Sequence, residues 1–466
     1  MTQTSAAARM SQDSVVRLLV RFSLPATLGM VANAFYNIVD RLFIGRFTGA
    51  GGLAAVGLTF PLTVFVIAAG SLVGVGAASQ VSRFLGQGRH DRAQKALGNA
   101  LCVMALFAGV FTTASLLLVD RLTLALGATP ALFAPTRLYT RILLWGMPFN
   151  LLGFAMNYLV RAEGFPRVAM WSLVVGSAAN IFLDWLLIAR LGMGVAGAAL
   201  GTSVAQAAAF AWTACFYLFK KGSLRVTFAS LLPDGRILAE MLTVGLSPFL
   251  MELFYTLCMM LFNTIAGSLG GDLALSAIGI FFCLDNLIYL PVFGIGEGLQ
   301  PIVGFNYGAR KAERVRRTIL CAVGMSTGYF LLSFVCAETF PGAMASVFAG
   351  ADEHLVALTA RAMRIGYIGM PFAAASIVAS SAFLAIGRSG LSLFLNFCRQ
   401  GLLFLPALIL LPKLLGLDGA WACFIVVDAG GGLVGALLLY RFWKVFAGEK
   451  RAAPRAISFA LDHKAA

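Results

Sequence analysis

Long apolar runs separated by short polar and charged breaks make up most of the chain. A helix needs about 20 apolar residues to cross the hydrocarbon core of a bilayer, and runs of this length span it only as helices. We therefore expect an all-α integral membrane protein. The pattern predicts twelve transmembrane helices, near residues 20–45, 53–79, 96–119, 138–160, 168–189, 195–219, 241–268, 275–299, 318–340, 362–385, 391–413 and 419–440.

The apolar runs repeat in order. The segment RILLWGMPF at 141–149 returns 223 positions later as RIGYIGMPF at 364–372, with six of nine residues identical. Pro25, which opens the first run, has its counterpart in Pro248 at the same offset. The repeat predicts two six-helix lobes related by an internal pseudo-two-fold axis, an organisation typical of transporters.

The duplication also predicts the domain organisation. The N-terminal lobe, with the first six helices, occupies residues 1–219, and a polar cytoplasmic linker with a Pro-Asp-Gly turn occupies 220–239. The C-terminal lobe follows at 240–446, and a polar cytoplasmic tail ends the chain at 447–466.

Charge is scarce but strongly positive. Charged residues make up 12% of the chain and the net charge is +15, whereas soluble domains carry roughly a quarter charged residues. The basic residues concentrate in alternate loops and at both termini, which predicts that both termini lie in the cytoplasm of a bacterial inner (cytoplasmic) membrane, against anionic lipid. Because the cations are dispersed over short loops with little aromatic interleaving, we expect no nucleic-acid partner.

Catalytic and cofactor motifs are absent from the sequence. The eight cysteines occur singly, the three histidines lie in loops or in the tail, and no phosphate-binding Gly-rich motif occurs. We expect neither an enzyme nor a cofactor-binding protein, and the energy for transport then comes from an ion gradient or from the gradient of the substrate itself.

Ionisable groups inside a bilayer are costly and indicate function. Asp40, in the first helix, is spaced by three or four residues along a polar stripe with Asn33, Tyr36 and Asn37. The stripe predicts that Asp40 faces a cavity. The alternative is an interfacial aspartate that pairs with Arg41 or Arg46.

The fifth helix places Asn180 and Asp184 on one face, four residues apart, and Thr202 in the sixth helix could add a hydroxyl oxygen. Such an oxygen-rich set suits Na⁺, or a proton held between carboxyl groups. The alternative is a structural polar cluster between helices.

Roles can also be predicted for three further acidic residues and one proline. Glu252 and Asp285 are predicted to face the cavity of the second lobe and attract cationic substrates, while Glu297 is either embedded or a solvated helix-end residue. Pro25 is predicted to permit bending of the first helix during transport, with a permanent kink as the alternative.

Four segments resemble the multidrug and toxic compound extrusion (MATE) family: YNIVDRLFIG at 36–45, LAAVG at 53–57, GIGEGLQP at 294–301 and NYGA at 306–309. The resemblance covers essentially the whole chain and is strongest to the prokaryotic, DNA-damage-inducible type. It implies a twelve-helix, two-lobed fold and H⁺ or Na⁺ antiport.

The resemblance also implies a cation site in the first lobe, including possible Na⁺ coordination, formed by Asp40, Asn180, Asp184 and Thr202. Positions that line the same cavity in that branch are matched here by Tyr36, Tyr139 and Asn157. The offset of 223 carries Asp40 onto Asn263, so the acidic residues are not duplicated and the cation chemistry is expected in the first lobe alone.

Taken together, these features predict a monomeric exporter of amphipathic, mostly cationic organic compounds, driven by H⁺ or Na⁺ antiport. One alternative is a lipid-linked precursor flippase of the same superfamily, which would need a more cationic cavity. A membrane-embedded enzyme that acts on lipid is the other, and it would need a nucleophile, base or metal cluster at one membrane face.

Overall fold

The computed structural model describes residues 4–219, 221–350 and 352–462, with side chains for 7–219, 221–350 and 352–444. Within these ranges the chain is almost entirely helical, and eleven continuous helices are long and apolar enough to cross a membrane. The longest, Gly235–Gly308, has 74 residues and contains two spans. The predicted all-α, twelve-helix membrane fold is confirmed.

We number the spanning helices in chain order. The N-terminal lobe contains α1 (Val15–Gly57), α2 (Phe60–Gly86), α3 (His90–Leu117), α4 (Pro130–Ala162), α5 (Pro166–Asp184, continued by the π-helical turns Trp185–Arg190) and α6 (Gly194–Leu218). The C-terminal lobe contains α7 (235–270), α8 (272–308), α9 (Ala312–Thr339), α10 (Glu353–Gly366, Tyr367–Gly369 and Met370–Ala385), α11 (Ser389–Phe397, Cys398–Phe404 and Leu405–Leu415) and α12 (Leu417–Asp462). Shorter helices are Thr4–Gln12, Val119–Ala125, Phe228–Leu231 and Pro341–Ala349.

The internal repeat is also visible in the backbone angles of the two lobes. Residues with positive φ occur at matching places in the two lobes, 222 to 224 positions apart. The pairs are Gly49 and Gly271, Gly88 and Arg310, Gly127 and Gly350, Gly164 and Gly387, and Gly192 and Gly416. Because L side chains rarely adopt this region, the pairs mark the same helix ends and breaks in each lobe.

Several predicted boundaries are wrong, most clearly between the first two spans. The first spanning helix was expected to end at 45, but α1 extends to Gly57. The second spanning helix was expected over 53–79, but α2 begins at Phe60 and extends to Gly86. The last turns of α1 occupy residues 53–57, and the hydroxyl of Thr59 donates to the carbonyl of Val56 (2.7 Å) in the turn that follows. The turn is made largely of apolar residues, so hydropathy does not reveal it.

Helix α1 is continuous through Pro25, which is buried. Within the described part of α1, the one residue with non-helical backbone angles is Gly49, with φ 71° and ψ −169°. The comparable break at Gly271 has φ 61° and ψ −153° and separates α7 from α8. Bending of α1 at Pro25 during transport stays a prediction.

The two lobes pack against each other near one end of the molecule. We call it the basic end, because Arg17, Arg83, Arg89 and Arg310 lie there. Ser79 on α2 donates to the carbonyl of Leu384 on α10 (2.6 Å). The hydrogen bonds and ion pairs that join the lobes within the described residues all lie in this half, and none joins the lobes toward the opposite end.

Glycines allow the backbones of the two lobes to touch in this half. A Cβ on Gly245 of α7 would lie 1.6 Å from the carbonyl oxygen of Leu72 on α2. One on Gly76 would lie 2.0 Å from the carbonyl oxygen of Met241. Real Cβ atoms do not come so close, so the closed basic end depends on glycine at both positions.

The linker is folded against the first lobe. The side-chain amide of Asn99 on α3 donates to the carbonyls of Ser230 (3.1 Å) and Leu232 (3.0 Å), and its oxygen accepts from the backbone of Asp234 (2.7 Å). Helix α7 begins directly afterwards, at Gly235, within the range predicted for the linker. The connection between the lobes is therefore fixed to α3.

Arg310 provides a test of the duplicated backbone. Its φ is 58°, at the position that glycine takes as Gly88 in the first lobe. We expect Arg310→Gly to stabilise the protein by about 1 kcal/mol, because it removes the strain of a side chain in the left-handed region. The measurement is the midpoint of thermal unfolding in detergent. The control is Ala309→Gly, where φ is −75°, which should instead destabilise the protein. An unchanged midpoint for Arg310→Gly would contradict a strained left-handed backbone at Arg310.

The carboxyl group of Glu163, directly after α4, anchors the start of the linker. Its Oε2 accepts hydrogen bonds from the backbone and hydroxyl of Ser223 (3.0 and 3.2 Å) and from the backbone of Leu224 (3.2 Å), while Oε1 is buried without a partner in the described chain. Burial raises the pKa of Glu163 from 4.5 to about 7, and the nearby hydroxyl of Tyr217 on α6 and the hydrogen bonds from the linker oppose that shift only in part.

This raised pKa predicts a pH-dependent stability. The folded protein holds a proton on Glu163 that the unfolded chain releases near pH 4.5, so the stabilisation is complete below pH 4.5 and is lost as pH rises through 7. The loss amounts to about 3 kcal/mol. Thermal unfolding between pH 5 and 8 should show a smaller decline in Glu163→Gln than in the wild type. Glu313→Gln, with an exposed side chain, serves as the control, and identical profiles for wild type and Glu163→Gln would overturn the prediction.

Candidate functional site

Two carboxyl groups of the first lobe face each other. Asp40 lies on α1 and Asp184 is the last α-helical residue of α5, and their side chains are close enough to share a hydrogen bond. Asp184 is fully buried and Asp40 half-buried. One oxygen of Asp40 and both oxygens of Asp184 are buried without a donor among the described residues. Since two such carboxylates repel each other and lack solvation, the pair requires a positive charge, either a proton or a metal cation.

Asn180 and Thr202 complete the polar surroundings of this pair. The amide nitrogen of Asn180 lies 3.4 Å from the hydroxyl of Thr202, and the amide oxygen is buried without a donor in the described chain. A Cβ on Gly201 would lie 2.9 Å from Oδ1 of Asp184, so glycine at this position lets α6 approach the carboxylate. The carboxylate, amide and hydroxyl oxygens form the hard set that Na⁺ prefers, and the facing carboxyl groups alone suffice to hold a proton.

Two tyrosines border the carboxyl groups. Tyr139 on α4 is 5% exposed, interacts electrostatically with Asp40 and Asp184, and is within hydrogen-bonding reach of Thr202. Tyr36 on α1 lies one helical turn before Asp40 and interacts with both acids. Helices α1, α4, α5 and α6 thus bring together the predicted cation site and two of its three predicted neighbours.

The remaining members of the polar stripe on α1 are engaged within that helix. The side-chain amide of Asn37, which is exposed, donates to the carbonyl of Asn33 (2.8 Å) and to its side-chain oxygen (3.2 Å). The two residues extend the polar face from Asp40 toward the basic end. Their role in binding substrate stays a prediction.

Asn157 does not lie at this site. It is 18 positions beyond Tyr139 on α4, which corresponds to about 27 Å along a helix. Its side-chain amide donates to the carbonyl of Ala169 (2.8 Å) and the hydroxyl of Ser172 (2.7 Å) at the start of α5. In this conformation Asn157 holds α4 and α5 together near the basic end.

The second lobe contains its own cluster of charged groups. Asp428 on α12 accepts hydrogen bonds from the hydroxyl of Tyr289 on α8 (2.9 Å) and from the guanidinium of Arg399 on α11 (3.3 Å). Asp285, one turn before Tyr289, interacts electrostatically with both Asp428 and Arg399. Glu252 on α7 is half-buried beside Tyr255, which in turn interacts with Asp285.

Glu297 joins the two lobes. Its carboxylate accepts a hydrogen bond from the hydroxyl of Tyr158 (3.2 Å) and forms an ion pair with Arg161, both on α4 of the first lobe. The side chains of Arg161 and Glu297 are only 8% and 17% exposed. The structure thus places Glu297 in the closed contact at the basic end and not in solvent.

No group of three or more His, Cys, Asp or Glu side chains within the described ranges is arranged to hold a metal ion. A Na⁺ ion in the first lobe would therefore be bound by the two aspartates together with the oxygens of Asn180 and Thr202. The buried oxygens without donors fit such an ion.

The two lobes each match the MatE family model, over residues 25–186 and 248–409. The matched segments begin 223 positions apart, as the internal repeat predicts. The chain belongs to the MatE family. Together the two segments cover more than half of the sequence.

Relatives of this MatE protein extend over nearly its whole length. Multidrug export protein MepA of Staphylococcus aureus (strain MSSA476) is 25% identical over 435 residues, which cover 92% of this chain and 94% of MepA. A solved structure described as an outward-facing conformation of a multidrug resistance MATE family transporter of the MOP superfamily is 25% identical, with a TM-score of 0.90 over 96% of this chain and all of the other. A MOP superfamily transporter from Pyrococcus furiosus, whose description reports a reversed polarity of the binding pocket, has a TM-score of 0.89, 25% identity and the same coverage.

Several residues of these sites were not predicted from the sequence. Arg399 and Asp428 lie inside predicted spans, so they could have been found as ionisable residues in the bilayer, in the same way as Asp40 and Asp184. Arg161 lies directly after the predicted fourth span, where a basic residue is ordinarily solvated. The glycine at 201 had no signal of its own, since its role depends on the approach of α6 to Asp184.

Proposed function

We propose that this MatE protein is an antiporter that couples the entry of H⁺ or Na⁺ to the export of amphipathic, mostly cationic organic compounds by alternating access. The observation that carries the proposal is the facing pair of Asp40 and Asp184, whose buried oxygens lack donors in the described residues. A site that requires a bound cation and lies in the half of the molecule where no hydrogen bond or ion pair of the described residues joins the lobes suits a coupling ion that enters through a cleft between the lobes.

The closed basic end supports the alternating-access part of the proposal. The lobes are joined there by Arg161 and Glu297 and by backbone contacts through glycine, while Asp40 lies about 22 Å farther along α1 than Pro25. We infer that cation binding to the aspartate pair changes the packing of α1 against α5 and releases substrate from the cleft. Rocking of the lobes then opens the basic end and exposes the aspartate pair to the opposite side of the membrane.

The protein is a multi-pass membrane protein, and we further propose that it lies in the bacterial cytoplasmic membrane as a monomer in contact with lipid. Its basic end and both termini would face the cytoplasm, because Arg and Lys concentrate there. In that orientation the cleft opens outward, as the description of one solved relative states for that protein. The name of the MepA relatives, multidrug export protein, supports export of several compounds.

The acidic character of both lobes favours cationic substrates over a lipid pyrophosphate. The free oxygens of Asp40 and Asp184 and the carboxylate of Asp285 would repel a pyrophosphate group, whereas they attract an organic cation. This observation disfavours the flippase alternative, and no separate observation supports it.

A transport assay in proteoliposomes tests the proposal. Vesicles that contain the purified protein and a cationic dye are given an inward Na⁺ gradient, an inward H⁺ gradient or neither, and dye efflux is followed by fluorescence. We expect one of the two gradients to accelerate efflux. Efflux that responds to neither gradient, while the protein remains folded, would refute antiport.

A further inference from the structure

The segment that precedes α1 is bound to the second lobe, although α1 itself begins the first lobe. We call residues 10–13 the N-terminal strap. The carbonyl of Met10 accepts hydrogen bonds from the side-chain amide of Asn306 at the end of α8 (3.1 Å) and from the guanidinium of Arg314 on α9 (3.3 Å). Arg314 also donates to the carbonyl of Asp13. Met10 and Asn306 are buried, so water does not compete for the bond between them.

The segment that precedes α7 is bound to the first lobe in a corresponding way. We call residues 230–234 the linker strap. At the repeat offset of 223, its last residue, Asp234, corresponds to Ser11 of the N-terminal strap. The backbone of Asp234 donates to the side-chain oxygen of Asn99 (2.7 Å), and its carboxylate pairs with Lys95 (3.3 Å), both on α3. The first helix of each lobe is therefore tied, at the basic end, to the other lobe.

Very little chain separates the bonded residues of the straps from the helices that follow. Helix α1 begins at Val15, directly after Ser14, and α7 begins at Gly235, directly after Asp234. An extended chain spans at most about 3.3 to 3.6 Å per residue, so the bonded end of the N-terminal strap at Asp13 and the start of α1 can separate by about 7 Å at most. A larger movement of the lobes at the basic end breaks the bonds of the strap, unless the first turns of α1 stay behind on the second lobe.

We propose that the two straps are latches that hold the basic end closed and that detach from the opposite lobe whenever this end opens. Asn99 and Asn306 are positioning residues in this device, because each holds the backbone of a strap. The inference rests on the alternating access of the proposed function, and it adds which contacts must break in each cycle.

The amide that holds the N-terminal strap is less completely bonded than its counterpart. Asn99 bonds to the linker strap through both its nitrogen and its oxygen. Asn306 bonds to the N-terminal strap through its nitrogen alone, and its oxygen is buried without a donor among the described residues. A buried oxygen without a donor weakens the closed arrangement. We therefore expect the N-terminal strap to detach first.

The test is a reversible cross-link between the N-terminal strap and the second lobe in the full-length protein. The Nζ atom of Lys311 lies 3.3 Å from the carbonyl oxygen of Ser11, so Ser11→Cys and Lys311→Cys are combined in a background where the eight native cysteines are replaced. A short bismaleimide with a disulfide in its spacer then joins the two positions. We expect dye efflux from proteoliposomes to fall in proportion to the cross-linked fraction and to return when the spacer is reduced. Ser11→Cys alone, treated in the same way, is the control and should keep its efflux rate.

A second measurement needs no transport. Asn306→Ala removes the buried donor of the N-terminal strap and should raise the ratio of open to closed molecules about 5- to 30-fold. Spin labels at positions 167 and 390, which are exposed and correspond to each other in the two lobes, should then report a larger population at long distances. Gln87→Ala, an exposed amide at the same end, should leave the distances unchanged. If Asn306→Ala does not fold, Arg314→Ala removes the other donor to the strap and should give the same shift.

The outcomes separate the latch from the proposed function. Undiminished efflux from fully cross-linked protein would refute the latch and leave antiport standing, since the strap would then stay on the second lobe while α1 bends. Distances that do not change in a folded variant without a strap donor would also refute it. If the protein shows no gradient-driven efflux before cross-linking, antiport fails, and the distance measurement alone decides whether the straps hold the basic end closed.

Discussion

Replacing Asp40 with Asn is expected to reduce gradient-driven efflux of a cationic dye by about 5- to 150-fold, the range of typical coupling free energies. The amide keeps the size of the side chain but removes the charge that holds the coupling cation opposite Asp184. Efflux from membrane vesicles under the effective gradient, H⁺ or Na⁺, is the measurement. Asp120→Asn, an acid with a 58% exposed side chain, provides the matched control.

The shared cation site also predicts how the single and double aspartate variants compare. Because the two carboxyl groups bind one cation together, Asp184→Asn should have an effect similar to that of Asp40→Asn, and the double variant should be little worse than either. Additive losses would mean that the two aspartates act independently. Efflux at the wild-type rate in both single variants would refute the role of the pair altogether.

Replacing Glu297 with Gln is expected to open the basic end. Arg161 would be left buried without a counter-charge, at a cost of about 3 to 5 kcal/mol to the conformation in which the lobes are closed there. Such a cost shifts the balance between the two conformations at least about 100-fold. Spin labels at positions 89 and 310, which are exposed and lie in different lobes, should report a longer distance, in a background where the eight native cysteines are replaced.

The chain offers a matched control for this effect. Glu240 also forms an ion pair across the lobes, with Arg83 at 2.8 Å, but its side chain is 44% exposed. Glu240→Gln should therefore cost less than about 1 kcal/mol and leave the distance distribution nearly unchanged. Equal shifts in the two variants would show that burial of the Arg161 pair is not what keeps the basic end closed.

Much of the fold was predictable because its signals are local. Each span is an apolar run, and each lobe repeats the same order of runs, so counting and comparison suffice for a twelve-helix, duplicated membrane protein. The matching positive-φ positions, such as Gly127 and Gly350, show that the repeat extends to the backbone. Hydropathy failed at the start of α2, where the turn before Phe60 is itself apolar.

The site was predictable in part. Asp40 and Asp184 were predicted as functional residues because a carboxyl group inside a bilayer is costly and is kept there for function. The resemblance to the MATE family supplied their pairing. Asn157 was placed at the same cavity by the resemblance alone, but it bonds to the backbone of Ala169 and to Ser172. A polar residue in a span is satisfied by whichever helix packs against it, and the sequence does not tell which helix that is.

The class of the protein, its two lobes and its family were predictable from the chain alone, because hydropathy and repetition are properties of single segments. Which charged groups meet depends instead on how the helices pack. Glu297 pairs with Arg161 from the other lobe, and Asp428 with Arg399 while Asp285 is left uncompensated. Electrostatic and hydrogen-bonding energies depend on distances of a few ångströms between helices far apart in the chain, and packing alone sets those distances.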